Sequence, residues 1–220
     1  MARSPTVSRF HFLFVAALML PAHLPAYAQQ YPVKSIRVLV GFTPGAGMDI
    51  ALRLVTPKMS EVLGQQVIVD NRPGAGGNLA AEIAAKAPAD GYTLLNNGAP
   101  ATIAQTLYPK LGYDLLRDFE TCALIASVAQ LLVVHPSLPV KNAKDLVALA
   151  KTSKNDLTYA STGAGSTPHL SAEMFRLHAG GMRMLHVPYR GTPPAMTDLV
   201  SGQVSFMFAN LMSVVPQVQQ

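Results

Sequence analysis

The sequence has no tryptophan and one cysteine, Cys122, and only 13% of its 220 residues are charged, about half the share in an ordinary globular chain. The lone cysteine excludes a disulfide framework and a cysteine-based zinc site. Scarce charge beside 50% hydrophobic residues excludes a disordered chain, which needs low hydrophobicity and high net charge. No apolar run reaches the ~18 residues that mark a membrane-spanning helix. Basic residues outnumber acidic ones 17 to 12, but they are scattered, which argues against a nucleic-acid partner. Carboxylates are few and isolated, so a paired-acid hydrolase has little support. Length leaves room for one or two domains with a sizeable core.

What is present begins with an address. Arg3 and Arg9 precede the apolar run Phe10 to Leu20, Pro21 and Pro25 follow, and Ala26-Tyr27-Ala28 offers the small-x-small pattern that a signal peptidase accepts. Residues 1–28 therefore read as a signal peptide cleaved after Ala28, with export to the periplasm. Cys122, read as a single buried thiol, suits export because it has no partner with which to mispair.

Beyond it, strand and helix patterns alternate. Ser35 to Phe42 predicts a buried strand, Asp49 to Leu63 a helix with Ile50, Leu54 and Val62 at helical spacing, and Gln66 to Asp70 a second strand. Pro57 should kink or split that first helix. An alanine-rich helix at Asn78 to Lys86 and a strand at Tyr92 to Leu95 follow. The pattern restarts with strands at Thr121 to Ala126 and Gln130 to Val134. A helix at Val140 to Lys154 is capped by Asn142, with Leu146 and Leu149 inward. Then come a strand at Leu157 to Ala160, a helix at Thr167 to His178 ended by Gly180-Gly181, and strands at Leu185 to Tyr189 and Gln203 to Phe208 around a helix at Ala195 to Val200. The order implies an α/β fold with mainly parallel sheets in two lobes, joined near residues 120–135.

Two glycine-rich loops carry the chemistry. Thr43-Pro44-Gly45-Ala46-Gly47-Met48-Asp49 follows the first strand, and Ser161-Thr162-Gly163-Ala164-Gly165-Ser166-Thr167 precedes a helix that Pro168 can open. Such loops lie at the carboxyl ends of strands, where unpaired N–H groups and the helix dipole favour an anion. Neither is a phosphate loop, because no Gly-Lys-Ser/Thr follows, and neither has the third glycine of a dinucleotide fingerprint. Asp49 reads as a helix cap, and no serine has the Gly-x-Ser-x-Gly setting of a nucleophile elbow. Of His135, His169, His178 and His186, none has helical metal-pair spacing; His169 stands out for its place in the first turn behind the second loop. The segments Arg72 to Gly77 and Pro188 to Gly191 each fit either an anion contact or an ordinary turn.

In order along the chain, Tyr31-Pro32, GFTPGAGMD (41–49), DNRPGAGGN (70–78), ADGYTLL (89–95), LYPKLGYD (107–114), HPSLPVKNAKDL (135–146), TYASTGAGSTPHL (158–170) and HVPYRGTPPAMTDLVSGQVSFMF (186–208) resemble the periplasmic substrate-binding proteins of tripartite tricarboxylate transporters, the Bug family. The resemblance implies a periplasmic-binding-protein-like (type II, Venus flytrap) fold of two lobes, 29–125 and 126–220, closing on a small carboxylate for delivery to membrane permease subunits. It implies a monomer with no cofactor, no metal and no catalysis. It places the ligand against Phe42, Thr43, Pro44, Gly45, Ala46 and Gly47 in one lobe. In the other it names Ser161, Thr162, Gly163, Ala164, Gly165, Ser166, Thr167, His169 and Asn210. Ala46 and Met48 depart from the glycine and small hydroxyl residue commonest in the family's first loop. Ala209 stands where many members have an aspartate, which disfavours an amino-acid ligand. Members continue beyond Gln220, so the first lobe is expected to be incomplete, with an exposed sheet edge. The alternatives are an exported α/β enzyme with His169 as general base, and a truncated receptor fragment unable to close.

Overall fold

The structure is a computed structural model that describes residues 30–218, and the expected signal peptide and its cleavage site lie outside them. Strand β1 (Ile36–Val40) leads to α1 (Gly47–Leu63), β2 (Val67–Asn71), a single 3₁₀ turn (Ala75–Gly77), α2 (Asn78–Ala85), β3 (Thr93–Asn96) and α3 (Ala99–Leu107). After a run without helix or strand come β4 (Gln130–Val134), α4 (Ala143–Thr152), β5 (Leu157–Ser161) and α5 (Thr167–His178). The chain goes on through β6 (Met184–Pro188), α6 (Thr192–Val200), β7 (Phe206–Asn210) and α7 (Leu211–Val218). No described helix is long and apolar enough to cross a membrane.

Two sheets result. The first has the order β2-β1-β3, all parallel, with Val38 opposite both Val69 and Leu94. The second has the order β4-β7-β5-β6, parallel except for β4, which runs antiparallel to β7. Alternation along its central strands builds two cores, because successive side chains leave a strand on opposite faces. Leu157, Tyr159 and Phe206 pack with Leu146, Ala150, Ala172 and Met182. Ala160, Met207 and Ala209 pack with Ala195, Met196, Leu199, Val204 and Val214. In the first sheet Val38 and Val40 pack with Leu52 of α1.

Local signals explain most element ends. Asn142 caps α4 by accepting the Asp145 N–H, and Leu146 is fully buried. After α5, the Gly180 and Gly181 N–H groups close on the Leu177 and Arg176 carbonyls, with both glycines in the left-handed region. This is the conformation that glycine adopts without a Cβ penalty.

Four expectations need correction. Helix α1 runs unbroken through Pro57; the Arg53 carbonyl that proline leaves without a backbone donor accepts the Thr56 hydroxyl at 3.5 Å. The inward stripe of α1 is Asp49, Leu52 and Thr56, while Leu54 and Val62 lie outward, because Asp49 is drawn in by hydrogen bonds rather than by hydrophobicity. Residues 121–126 form no strand: all are exposed, and no described strand pairs with them. Cys122 lies in that run and is exposed.

Candidate ligand-binding site

The two glycine loops have one geometry. Each begins at the carboxyl end of a strand, β1 or β5, and each contains a glycine in the left-handed region, Gly45 at φ 80° and Gly165 at φ 77°. The residue after each is an extended helix N-cap, Ala46 (φ −68°, ψ 154°) and Ser166 (φ −71°, ψ 159°). The Ala46 N–H meets the Thr43 carbonyl at 3.1 Å, and the Ser166 N–H meets the Gly163 carbonyl at 3.1 Å. Three residues past the cap, a side chain reaches back to the left-handed glycine. Asp49 Oδ2 accepts the Gly45 N–H at 2.9 Å, and His169 Nδ1 accepts the Gly165 N–H at 3.2 Å. The arrangement is like a capping box shifted one residue back, and it satisfies a loop N–H just ahead of the N-cap. Asp49, read from the sequence as a helix cap, instead sits in the first turn of a helix whose N-cap, Ala46, has no side-chain cap bond, and it holds the loop in front of the helix.

The loops from the two sheets meet at their glycines. A Cβ on Gly76 would lie 2.7 Å from the Ala164 carbonyl oxygen, and one on Gly163 3.4 Å from Gly76 Cα. The Tyr108 hydroxyl donates to the Ala164 carbonyl at 3.2 Å, and Ser213 Oγ to the Gly45 carbonyl at 3.4 Å. Between them is a cavity of about 250 Å3, bounded by Gly41 and Gly74 to Gly76 on one side, by Thr162 to Ala164 and Pro188 to Arg190 on the other, and by Tyr108. Tyr189 is fixed there: its N–H donates to the Ser161 carbonyl and its hydroxyl to Asp198 at 2.6 Å. Burial, reinforced by that bond and the Asp198 charge, pushes the phenol up to about 12. Arg190 is exposed and has no ion-pair partner among the described residues. Arg72, by contrast, pairs with Asp70 at 3.0 Å.

The expected site residues divide accordingly. Thr162, Gly163 and Ala164 line the cavity. Phe42 is buried, its ring 3.5 Å from a Cβ built on Gly77. Thr43 packs against Gly191, with its Oγ1 buried and unpartnered. Pro44 is exposed, and Gly45 borders a separate cavity of about 590 Å3 with Thr192, Pro193 and Ser213. Ala46 and Gly47 are buried, Gly47 against the Asn210 side chain, whose Oδ1 accepts the Met212 N–H at 3.0 Å. Thr167 is half-buried at the start of α5, and Gly165 packs against Leu107. Ser161 is fully buried, with Oγ 3.1 Å from the Gly163 N–H it accepts and 2.6 Å from His186 Nε2. Ser166 is fully buried and accepts the His169 N–H as a cap. Ser166→Ala is therefore expected to lower stability by about 1 kcal/mol, read as a lower denaturant midpoint with unchanged slope.

Sequence reasoning left Gly41, Tyr108 and His186 unassigned; the glycines of 74–77 and the Pro-Tyr-Arg-Gly segment were the signals available for the rest. It also gave His169 the role of a possible base. Instead its Nδ1 is occupied by Gly165, and its ring stacks on His186 with centroids 4.3 Å apart. Ser161 and His186 lie as close as a nucleophile and its base, but a fully buried hydroxyl has no access to substrate.

Residues 51–220 match the family described as the tripartite tricarboxylate transporter family receptor. This chain belongs to that family. Three solved structures resemble it over most of its length. It is 38% identical to Rpa4515 of R. palustris, solved with adipate, at a TM-score of 0.81 over 86% of this chain and 63% of that one. It is 34% identical to MatC from Rhodopseudomonas palustris with bound malate, at a TM-score of 0.79 over 86% and 64%. The periplasmic binding protein BugD is 30% identical at a TM-score of 0.78 over 86% and 63%. The family member spans 54% to 63% of the length of the first curated relatives it matches. Its family is one of solute receptors rather than enzymes.

Proposed function

We propose that this chain binds a small organic carboxylate in the cavity between its two sheets, as an exported periplasmic receptor that passes the ligand to membrane permease subunits. The observation that carries the reading is the repeated loop: two glycine turns, each opening a helix N-terminus, stand at the carboxyl ends of β1 and β5, and the second lines the cavity. The dipole of a helix stabilises an anion at its N-terminus. Arg190 adds a cation, and no described carboxylate lines the cavity against it. The ligands held by Rpa4515 and MatC, adipate and malate, are of this class. A cavity of about 250 Å3 suits a metabolite smaller than the drug-sized ligands of ~300–1,000 Å3 pockets. We place the signal peptide at 1–28, the lobes at 29–125 and 126–220, and the working form as a monomer.

Thermal unfolding with a panel of mono- and dicarboxylates tests this. A ligand at ~100 times its Kd adds about 2.7 kcal/mol, which raises the midpoint by roughly 5–10 °C for a chain of this size. A cooperative melt that no carboxylate moves would sink the proposal.

A further inference from the structure

The two loops differ in what holds them. The carboxylate of Asp49 binds the Gly45 N–H, whereas in the second loop a histidine nitrogen binds the Gly165 N–H. We propose that His169 is the positioning residue of the second glycine loop and that only its neutral ring holds the loop, so that the grip on an anionic ligand weakens on mild acidification. The ligand clause rests on the carboxylate-receptor reading.

Because Nδ1 accepts the Gly165 N–H, the neutral ring carries its proton on Nε2. Protonating Nδ1 sets donor against donor and strands the N–H of Gly165, a buried residue, and a buried amide without an acceptor is costly. Gly165 follows directly on Thr162 to Ala164, which line the cavity, so its release reaches the cavity wall. A second link holds the same loop from below. Ser161 Oγ accepts the Gly163 N–H and lies 2.6 Å from His186 Nε2, and the His186 ring stacks on His169.

The groups facing His169 are few. From β6 comes His186, and from β5 comes Tyr159, stacked on His186 with centroids 4.9 Å apart. On α5 itself stands Glu173, already engaged by the Tyr159 hydroxyl at 2.7 Å and by Arg176 at 2.6 Å. From β7, Phe206 stacks on Tyr159 and adds no charge. Burial holds His169 below its ordinary 6.5 and Glu173 opposes this only in part. Burial, with the charge of His169, holds His186 down as well. The neutral, loop-holding form therefore prevails at neutral pH, and the ring charges only below about 6.5. Asp49, held below 3.8, keeps the first loop intact across that range.

Two readouts on the full chain test this. In NMR, the Gly165 amide shift should titrate with the same midpoint as the His169 ring, and should lose that midpoint in His169→Gln, whose amide oxygen accepts without titrating. In calorimetry with malate and adipate, wild-type affinity should fall relative to His169→Gln by about tenfold between pH ~7.5 and ~5, the scale of one lost hydrogen bond. The ratio of the two proteins at each pH cancels protonation of the ligand itself. A Gly165 amide indifferent to His169, or parallel pH profiles in the two proteins, would overturn the proposal. If neither carboxylate binds at any pH, the receptor reading fails and the NMR arm still decides the role of His169.

Discussion

Gly191→Ala is expected to cut carboxylate affinity by about fivefold or more while leaving the unliganded protein's melting point nearly unchanged. Gly191 has φ 169°, extended backbone that alanine adopts without strain. The obstacle is steric. A Cβ there would lie 1.9 Å from Thr43 Oγ1, 3.0 Å from its Cβ and 3.2 Å from its Cγ2. Rotating χ1 can swing Oγ1 aside, but Thr43 Cβ does not move with χ1, and its 3.0 Å contact still requires the loops to give by a few tenths of an ångström. The added methyl must push the loop after β6 away from the loop after β1, and so part the two walls of the cavity. Overpacking of this kind costs about 1–3 kcal/mol, or roughly 5- to 150-fold in a closed-state equilibrium. Neither Gly191 nor Thr43 belongs to a core cluster, so each sheet keeps its own packing. Adding Thr43→Gly should restore binding, because it removes all three clashing atoms and an Oγ1 that has no hydrogen-bond partner among the described residues. Calorimetric titration of the single and double variants checks this; wild-type affinity in Gly191→Ala alone would show that closure does not bring these loops together.

What the sequence made legible follows from how local each signal is. Helix α5 has the expected bounds, because Ser166 and Pro168 start it and Gly180-Gly181 stops it within a few residues of chain. Strands β1 and β5 and the glycine turns behind them are read as easily. Helix α3 escaped notice despite Pro100 in its first turn, a signal that was present. Thr121 to Ala126 is apolar enough for a strand, but a strand needs a partner, and pairing is not written in six residues. The α1 pattern misled for a related reason: the inward group is polar Asp49, held by Gly45, Arg53 and Asn71, partners up to 22 positions away. The cavity was half legible. Thr162 to Ala164 declare themselves by glycine content and Pro188 to Arg190 stand as one of two open readings, whereas Gly41 and Tyr108 become cavity wall only when the two sheets meet.

The same contrast between local and tertiary partners sets the expected result for Asp49→Ala. Asp49 is 1% exposed, and its carboxylate joins three elements: the Gly45 N–H of the first loop, Arg53 Nε one turn along α1, and Asn71 Nδ2 at the end of β2, each at 2.9 Å. Asn71 Nδ2 also donates to the Phe42 carbonyl at 2.9 Å, so the carboxylate anchors both ends of the loop. Alanine strands one Asn71 hydrogen, while Gly45 is exposed and can turn its N–H to water. Arg53, half exposed, turns to water at little cost. One half-buried donor left without a partner, with the lost bonds to Gly45 and Arg53, gives a loss of about 1–3 kcal/mol, or roughly 2–12 °C in melting point, together with weakened carboxylate binding. The pH dependence separates the charge from mere packing. Burial opposes ionisation of Asp49, but the hydrogen bonds from Arg53, Gly45 and Asn71 and the Arg53 charge outweigh it and hold the group below 3.8. Its stabilising effect is therefore complete above about 3.8 and disappears as the pH falls through the lower folded-state value. Wild type and Asp49→Asn should accordingly differ most near neutrality and converge in strong acid, as followed by denaturant unfolding across that range. A gap that stays constant into acid would mean that the shape of the side chain, and not its charge, holds the first loop.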